Sequence, residues 1–165
     1  MARFGIRVRV EGIKVSKVNI AKLKKLAHRG IVECTAKSAI KVQNAARQSS
    51  AVDTGRLRSS IRINFTDNGA GADVGSDVEY ASFIEHGTMP HFPPVDALRK
   101  WARRVLRDEG AAFLVARAIS RRGTKPRPFL QPAWDGERRN YVQCVKREIR
   151  TALRKSDLKT RIRIF

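Results

Sequence analysis

Histidine, cysteine and acidic residues are all scarce in this chain of 165 residues. The three histidines, His28, His86 and His91, fall in no metal-ligand spacing, and HGTMPH lacks the i, i+4 helical frame of a zinc site. Cys34 and Cys144 stand alone, with no CxxC, and read as two reduced thiols of a protein made in a cytosol. No run of about 18 apolar residues occurs, so no transmembrane helix is expected. Arg3 is followed by no apolar core, so no secretory signal is expected at this N-terminus. GxSxG, P-loop and HExxH patterns are missing, and nothing implies a cofactor. The triplet Asp53-Thr54-Gly55 occurs in aspartic proteases, but that chemistry needs two carboxylates side by side. The RLRSSI that follows it is cationic where such a site needs apolar residues. Glu85 beside His86 is the one other acid–base pair in view, and it has no third partner in sequence. The residues therefore favour a non-enzymatic protein.

Basic residues are what the chain has in excess. Against 15 Asp+Glu stand 35 Lys+Arg, a formal net charge of +20. Residues 1–51 carry +10 and 97–165 carry +14, while 52–96 carry −4. Such a balance suits nucleic acid, an anionic surface or an acidic protein partner, and the acidic middle of one copy could also meet the basic flank of another. Hydrophobic residues at 42% suffice for one modest core, and aromatics at 7% leave it mainly aliphatic.

Ile6, Val8 and Val10 alternate with Arg7 and Arg9 and predict an N-terminal strand. From Asn19 to about Gln48, apolar residues recur every three or four positions (Ile20, Leu23, Ala27, Ile31, Cys34, Ser38, Val42, Ala45), which predicts a long helix. Gly30 in its middle costs about 1 kcal/mol against Ala, so a bend or close packing is expected there. Asp53 is placed to cap a short helical turn. Ile61, Ile63 and Phe65 alternate with polar residues and lead into Asp67-Asn68-Gly69, a turn that tolerates positive φ; Ala72 and Val74 supply the returning strand. Pro90, Pro93 and Pro94 mark a rigid loop. Two short helices follow, one with the stripe Val95, Leu98, Ala102, Val105 and Leu106, one with Phe113, Leu114, Ala118 and Ile119. The prolines of TKPRPFLQP predict an extended stretch over 124–132, with Asp135 starting a last helix whose stripe is Tyr141, Val142, Val145, Ile149, Ala152 and Leu153. Arg161 and Arg163 alternate with Ile162 and Ile164 as a terminal strand, able to add to its own sheet or a neighbour's. The fold class is α+β: a small, mostly antiparallel sheet packed against a long N-terminal helix, two short middle helices and a C-terminal helix. Trp101 and Trp134 read as core or interface anchors.

Three stretches, VDTGRLRSSI, VGSDVEYASFIEHGT and RGTKPRPFLQPAW, in that order, resemble the tail-completion (neck, head–tail joining) proteins of long-tailed bacteriophages. The resemblance takes in the whole order of elements, as one domain over 1–165 with a helical insertion at about 90–122 and a C-terminal arm at about 156–165. The insertion departs from the simplest form of the pattern, and the arm matches no family role. What the resemblance implies is a structural virion protein, made in the bacterial cytoplasm, that forms a ring of about six copies at the junction of tail and neck. Asp53, Gly55, Arg56 and Leu57 match the first motif; Tyr80, Ala81, Glu85, Gly87 and Thr88 the second; Pro128, Phe129, Leu130, Pro132 and Ala133 the third. Most read as fold determinants, with Glu85 expected to pair with Arg56 in one subunit or across the ring. Arg99, Arg103, Arg104, Arg107, Arg121 and Arg122 form a candidate charged contact surface. The partners implied are further copies of the chain and other neck, portal-side and tail-tube proteins, with genomic DNA as a candidate contact and no membrane. The runner-up readings are a basic DNA-binding protein of a mobile element and a tail-terminator or other minor tail protein.

Overall fold

Two long helices with opposed apolar stripes set the architecture. The computed structural model describes residues 2–3, 8–9, 17–156 and 163–164, with side chains from Ile20 to Ser156. Two short strands, β1 (Ala2–Arg3) and β2 (Val8–Arg9), precede helix α1 (Lys17–Ser49). Helix α2 (Arg56–Ser60) leads into the hairpin strands β3 (Ile61–Thr66) and β4 (Gly71–Ser76). Helices α3 (Ala81–His86), α4 (Val95–Val105), α5 (Ala111–Arg122) and α6 (Leu130–Lys155) follow, and β5 (Arg163–Ile164) lies near the C-terminus. The α+β class read from sequence is therefore the observed one.

The chain divides into two compact units, one of Met1–Asn44, Arg62–Gly75 and Gln131–Phe165, the other of Ala45–Ile61 and Ser76–Leu130. In the first unit, α1 and α6 run antiparallel, since Gly30 meets Glu148 while Ser38 meets Glu137. Cys34, Tyr141, Val145, Ile149 and Leu153 form its buried core, with Leu23, Ile31 and Trp134 packed around them. These positions are the stripes expected from the 3.6-residue period; Ile20, near the N-terminal end of α1, is exposed. At Gly30 the two helices pack closely. A Cβ there would lie 2.7 Å from the Cβ of Glu148, so its cost in helix propensity is offset by close packing.

The expectation of two reduced thiols is corrected. Cys34 and Cys144 form a disulfide between α1 and α6, with Cα atoms 5.9 Å apart. Periodicity placed Cys34 on the apolar stripe of α1 and left Cys144 off the stripe of α6, and only antiparallel helix packing brings the two together.

A buried polar cluster lies one turn farther along. Glu137, only 8% exposed, accepts from Ser38 Oγ at 3.0 Å, Lys41 Nζ at 3.3 Å and Asn140 Nδ2 at 3.1 Å. A carboxylate withdrawn from water needs such partners. A cavity of about 10 Å³, lined by Thr35, Ser38, Ala39, Val42, Ala72, Trp134 and Tyr141, holds at most about one water and is far below ligand-site size.

The hairpin turn matches its sequence reading closely. Asp67, Asn68 and Gly69 all have positive φ, 51°, 54° and 88°, the region these residue types tolerate best. β4 sits between β3 and β1, with Ala2 opposite Val74 and Arg3 opposite Asp73. Along β3 burial fades outward: Ile61 is buried, Ile63 half-buried and Phe65 52% exposed. Val8 pairs with Ile164 and Arg9 with Arg163, so the terminal strand joins its own chain. The other residues of those two expected strands (Ile6, Val10, Thr160–Ile162, Phe165) lie outside the described ones.

In the second unit the insertion is the helix pair α4–α5, and its fully buried side chains are alanines. Ala102, Ala112 and Ala116 are buried to 1% exposure or less. The apolar stripes expected on these helices are corrected in part: Ala102 is buried and Val95, Leu98 and Ile119 half-buried, whereas Val105, Leu106, Phe113 and Leu114 are 46–64% exposed. Small side chains let the helices approach closely, so the alanine faces turn inward and the bulky ones outward. The start of α6 is also corrected. The helix begins at Leu130, not Asp135. Pro132 is its third residue, where the backbone N–H would have no intrahelical acceptor, so proline forfeits nothing there.

Candidate functional site

The first motif turns the chain sharply after α1. Gly55, at φ 78°, precedes α2, and Leu57 is 3% exposed. Arg47 Nη2 donates to the Ile61 carbonyl at 2.8 Å and Arg58 Nε to the Arg47 carbonyl at 2.8 Å, which folds the turn back on the end of α1. Arg56 is exposed. Asp53 does not cap α2, contrary to expectation; no side-chain cap is present. Its carboxylate is taken instead by Arg104, with Nε on Oδ1 at 2.9 Å and Nη2 on Oδ2 at 2.6 Å. A bidentate guanidinium outcompetes backbone N–H groups for a carboxylate. The pair fastens the insertion helix α4 to the DTG turn.

Arg104's hydrogen bond holds the Asp53 carboxyl below its ordinary value of 3.8. A depressed folded-state value means stabilisation present above the unfolded value and lost as pH falls through the folded one. Asp53→Asn should therefore lower the melting temperature slightly at neutral pH. The difference from wild type should vanish on acidification below pH 3.8, a window that a melting series read by circular dichroism would reveal.

The second and third motifs meet at the base of the insertion. Thr88 and Thr124 form an antiparallel bridge, each N–H donating to the other's carbonyl at 3.2 Å, with their hydroxyls 3.0 Å apart. Gly87 (φ 74°) and Gly123 (φ 68°) flank this bridge. A Cβ on Gly87 would strike the Thr124 carbonyl oxygen, and one on Gly123 the Thr88 carbonyl oxygen. Gly123→Ala thus meets both a steric and a backbone penalty. It should cost about 3 kcal/mol or more, seen as a lower unfolding midpoint and earlier proteolysis of the insertion.

Glu85 is the centre of the junction. It is 8% exposed, and its Oε2 accepts from the Phe129 N–H at 2.8 Å and the Leu130 N–H at 3.0 Å. These donors belong to the residues that start α6, two of the orphan N–H groups every helix leaves. The Arg127 N–H adds a bond to the Ile84 carbonyl at 2.8 Å. The expected Glu85–Arg56 partnership within a subunit is thereby corrected: backbone donors hold the carboxylate. Phe129 is fully buried and Ala81 and Ala133 are 9% exposed, whereas Tyr80 is 38% exposed and Pro128 and Pro132 lie at the surface. Gly123, Thr124 and Arg127 lie in the third stretch but were not singled out as motif residues; the pair Gly123-Thr124, which repeats Gly87-Thr88 in the same order, was the available signal.

The six arginines of the candidate contact surface split evenly. Arg99 lies 3.3 Å from Asp96, Arg103 3.9 Å from Glu109, and Arg104 holds Asp53. Arg107, Arg121 and Arg122 are exposed. Among the described residues no group of three or more His, Cys, Asp or Glu could hold a metal, and no helix is long and apolar enough to cross a membrane.

No curated protein and no solved structure matches the chain significantly. A family model does: “Bacteriophage HK97-gp10, putative tail-component”, over residues 17–87. The span takes in α1, the DTG turn, the hairpin and α3, and includes the first motif and most of the second. From the helix of the apolar stripe to the glycine at the base of the insertion, residues 17–87 match the HK97-gp10-like family of phage tail components.

Proposed function

We propose that the chain is a non-enzymatic structural protein of a long-tailed phage virion that completes the tail and joins it to the head as a ring of about six copies. The observation that carries this reading is the match over residues 17–87, together with what the motif residues do. Glu85, the one acid of the second motif with a catalytic look, is spent on two backbone N–H groups. The motifs hold a fold together, as expected of an assembly part.

Its partners are other neck, portal-side and tail-tube proteins. Six copies at +20 each repel strongly at low salt, within a Debye length of about 8 Å at physiological ionic strength. An acidic partner, protein or genomic DNA, therefore stabilises the ring. A strongly basic bore would grip exiting DNA, so Arg103, Arg104 and Arg107 face away from the channel. Infection by a phage lacking this chain tests the reading. Filled heads and unattached tails should accumulate in the lysate, and purified protein added back should join them. Normal joined particles without the protein would refute it.

A further inference from the structure

The twelve large apolar side chains exposed among the described residues are unevenly placed; nine lie between Phe65 and Leu114. They fall into two groups of opposite charge. Residues 63–98 contain no Lys or Arg at all, in a chain with 35 of them. Within that stretch Glu79 is exposed beside Tyr80 (38%) and Phe83 (57%), the latter two spaced i, i+3 at α3. The second group lies on the α4–α5 pair. On α5 Phe113 (53%) and Leu114 (64%) precede exposed Arg117 by four and three residues, so they share its solvent face. Leu106 (46%) ends the neighbouring helix.

Exposed apolar clusters on a small protein mark interaction sites. Apolar side chains flanked by a charge form the centre and rim of a protein interface. Phosphates reward cations and hydrogen-bond donors, so contact with a duplex backbone would leave Phe113 and Leu114 without a role. An isologous contact centred on either patch alone would oppose like charges. A heterologous contact opposes the basic patch of one copy to the acidic patch of the next, and repetition of that contact closes a ring.

We infer that the outward face of α5 (Phe113, Leu114, Arg117) docks on Glu79, Tyr80 and Phe83 of a second copy of this chain, head to tail. This deepens the ring reading and rests on it. It gives the insertion, which lies beyond the family match, the role of the arm by which each subunit holds its neighbour. It also gives Tyr80, a motif residue without a core position, a surface role.

The test is mass by light scattering for five proteins and one mixture. Wild type should form a discrete oligomer. Phe113→Ser/Leu114→Ser and Tyr80→Ser/Phe83→Ser should each stay folded, because the side chains are exposed, and should weaken association by roughly 30-fold or more. Each variant keeps the other half of the contact, so an equimolar mixture should yield a 1:1 dimer that grows no further. Arg117→Glu, which removes no packing, should weaken assembly, and Glu79→Arg in the same chain should restore it. Variants that assemble like wild type, or a mixture that remains monomeric, would overturn the pairing of these patches while the ring stands. A wild type monomeric at every concentration would overturn the ring and this contact together.

Discussion

Glu85→Ala should destabilise the protein by about 2–5 kcal/mol, because it strands the N–H groups of Phe129 and Leu130 at a buried site. For a chain of this length that is a fall in melting temperature of about 5–15 °C. The cost is large because the carboxylate is a tertiary cap. It supplies from α3 what a Ser or Asp N-cap would supply locally, and Pro128 and Phe129 before the helix offer no such side chain. Glu85→Gln keeps one acceptor oxygen and loses the charge, so its loss should be smaller, and the order wild type, Gln, Ala should hold. The fully buried Phe129 ring depends on the same clamp, so near-ultraviolet circular dichroism should weaken in that order too. A Glu85→Ala midpoint within 1 °C of wild type would show that the junction does not rest on this residue.

Reduction should have the second large effect. The Cys34–Cys144 bond closes a loop 110 residues apart in sequence. In the chain-entropy model a loop of that size is worth about 4–5 kcal/mol, and native disulfides of small domains contribute about 2–5. The midpoint should drop by about 5–15 °C in excess reductant. Cys144→Ala should show the same drop and then no further response to reductant. That comparison separates loss of the bond from loss of packing. Thiol titration should find no free thiol in the native oxidised protein and two after reduction and unfolding. Two accessible thiols in native protein under non-reducing conditions would contradict the bond.

The parts of this fold that were legible in sequence are the local ones. Asp67-Asn68-Gly69 declares its turn because three adjacent residues tolerate positive φ. The stripes of α1 and α6 declare themselves because burial on one side repeats every 3.6 residues. What escaped reading depends on partners far away in sequence. Asp53 looked like a cap until Arg104, 51 residues on, claimed its carboxylate. Pro132 looked like a barrier to helix because the acceptor that lets α6 start at Leu130 is Glu85. Phe113 and Leu114 looked like core because a periodicity count weights bulky residues, whereas the buried positions are Ala112 and Ala116 on either side of them. Of the candidate site, the motif residues stood out in sequence only as single positions. Their linkage, Thr88 to Thr124 and Glu85 to Phe129, became visible only in three dimensions.

The central claim is that this protein is an assembled part of a phage neck. The most direct measurement is a cryo-electron reconstruction of the head–tail junction of the virion that encodes it. The account predicts a ring of about six copies at the head-proximal end of the tail tube, with Arg103, Arg104 and Arg107 turned from the bore. A junction complete without this chain, or its density found elsewhere in the particle, would contradict the account.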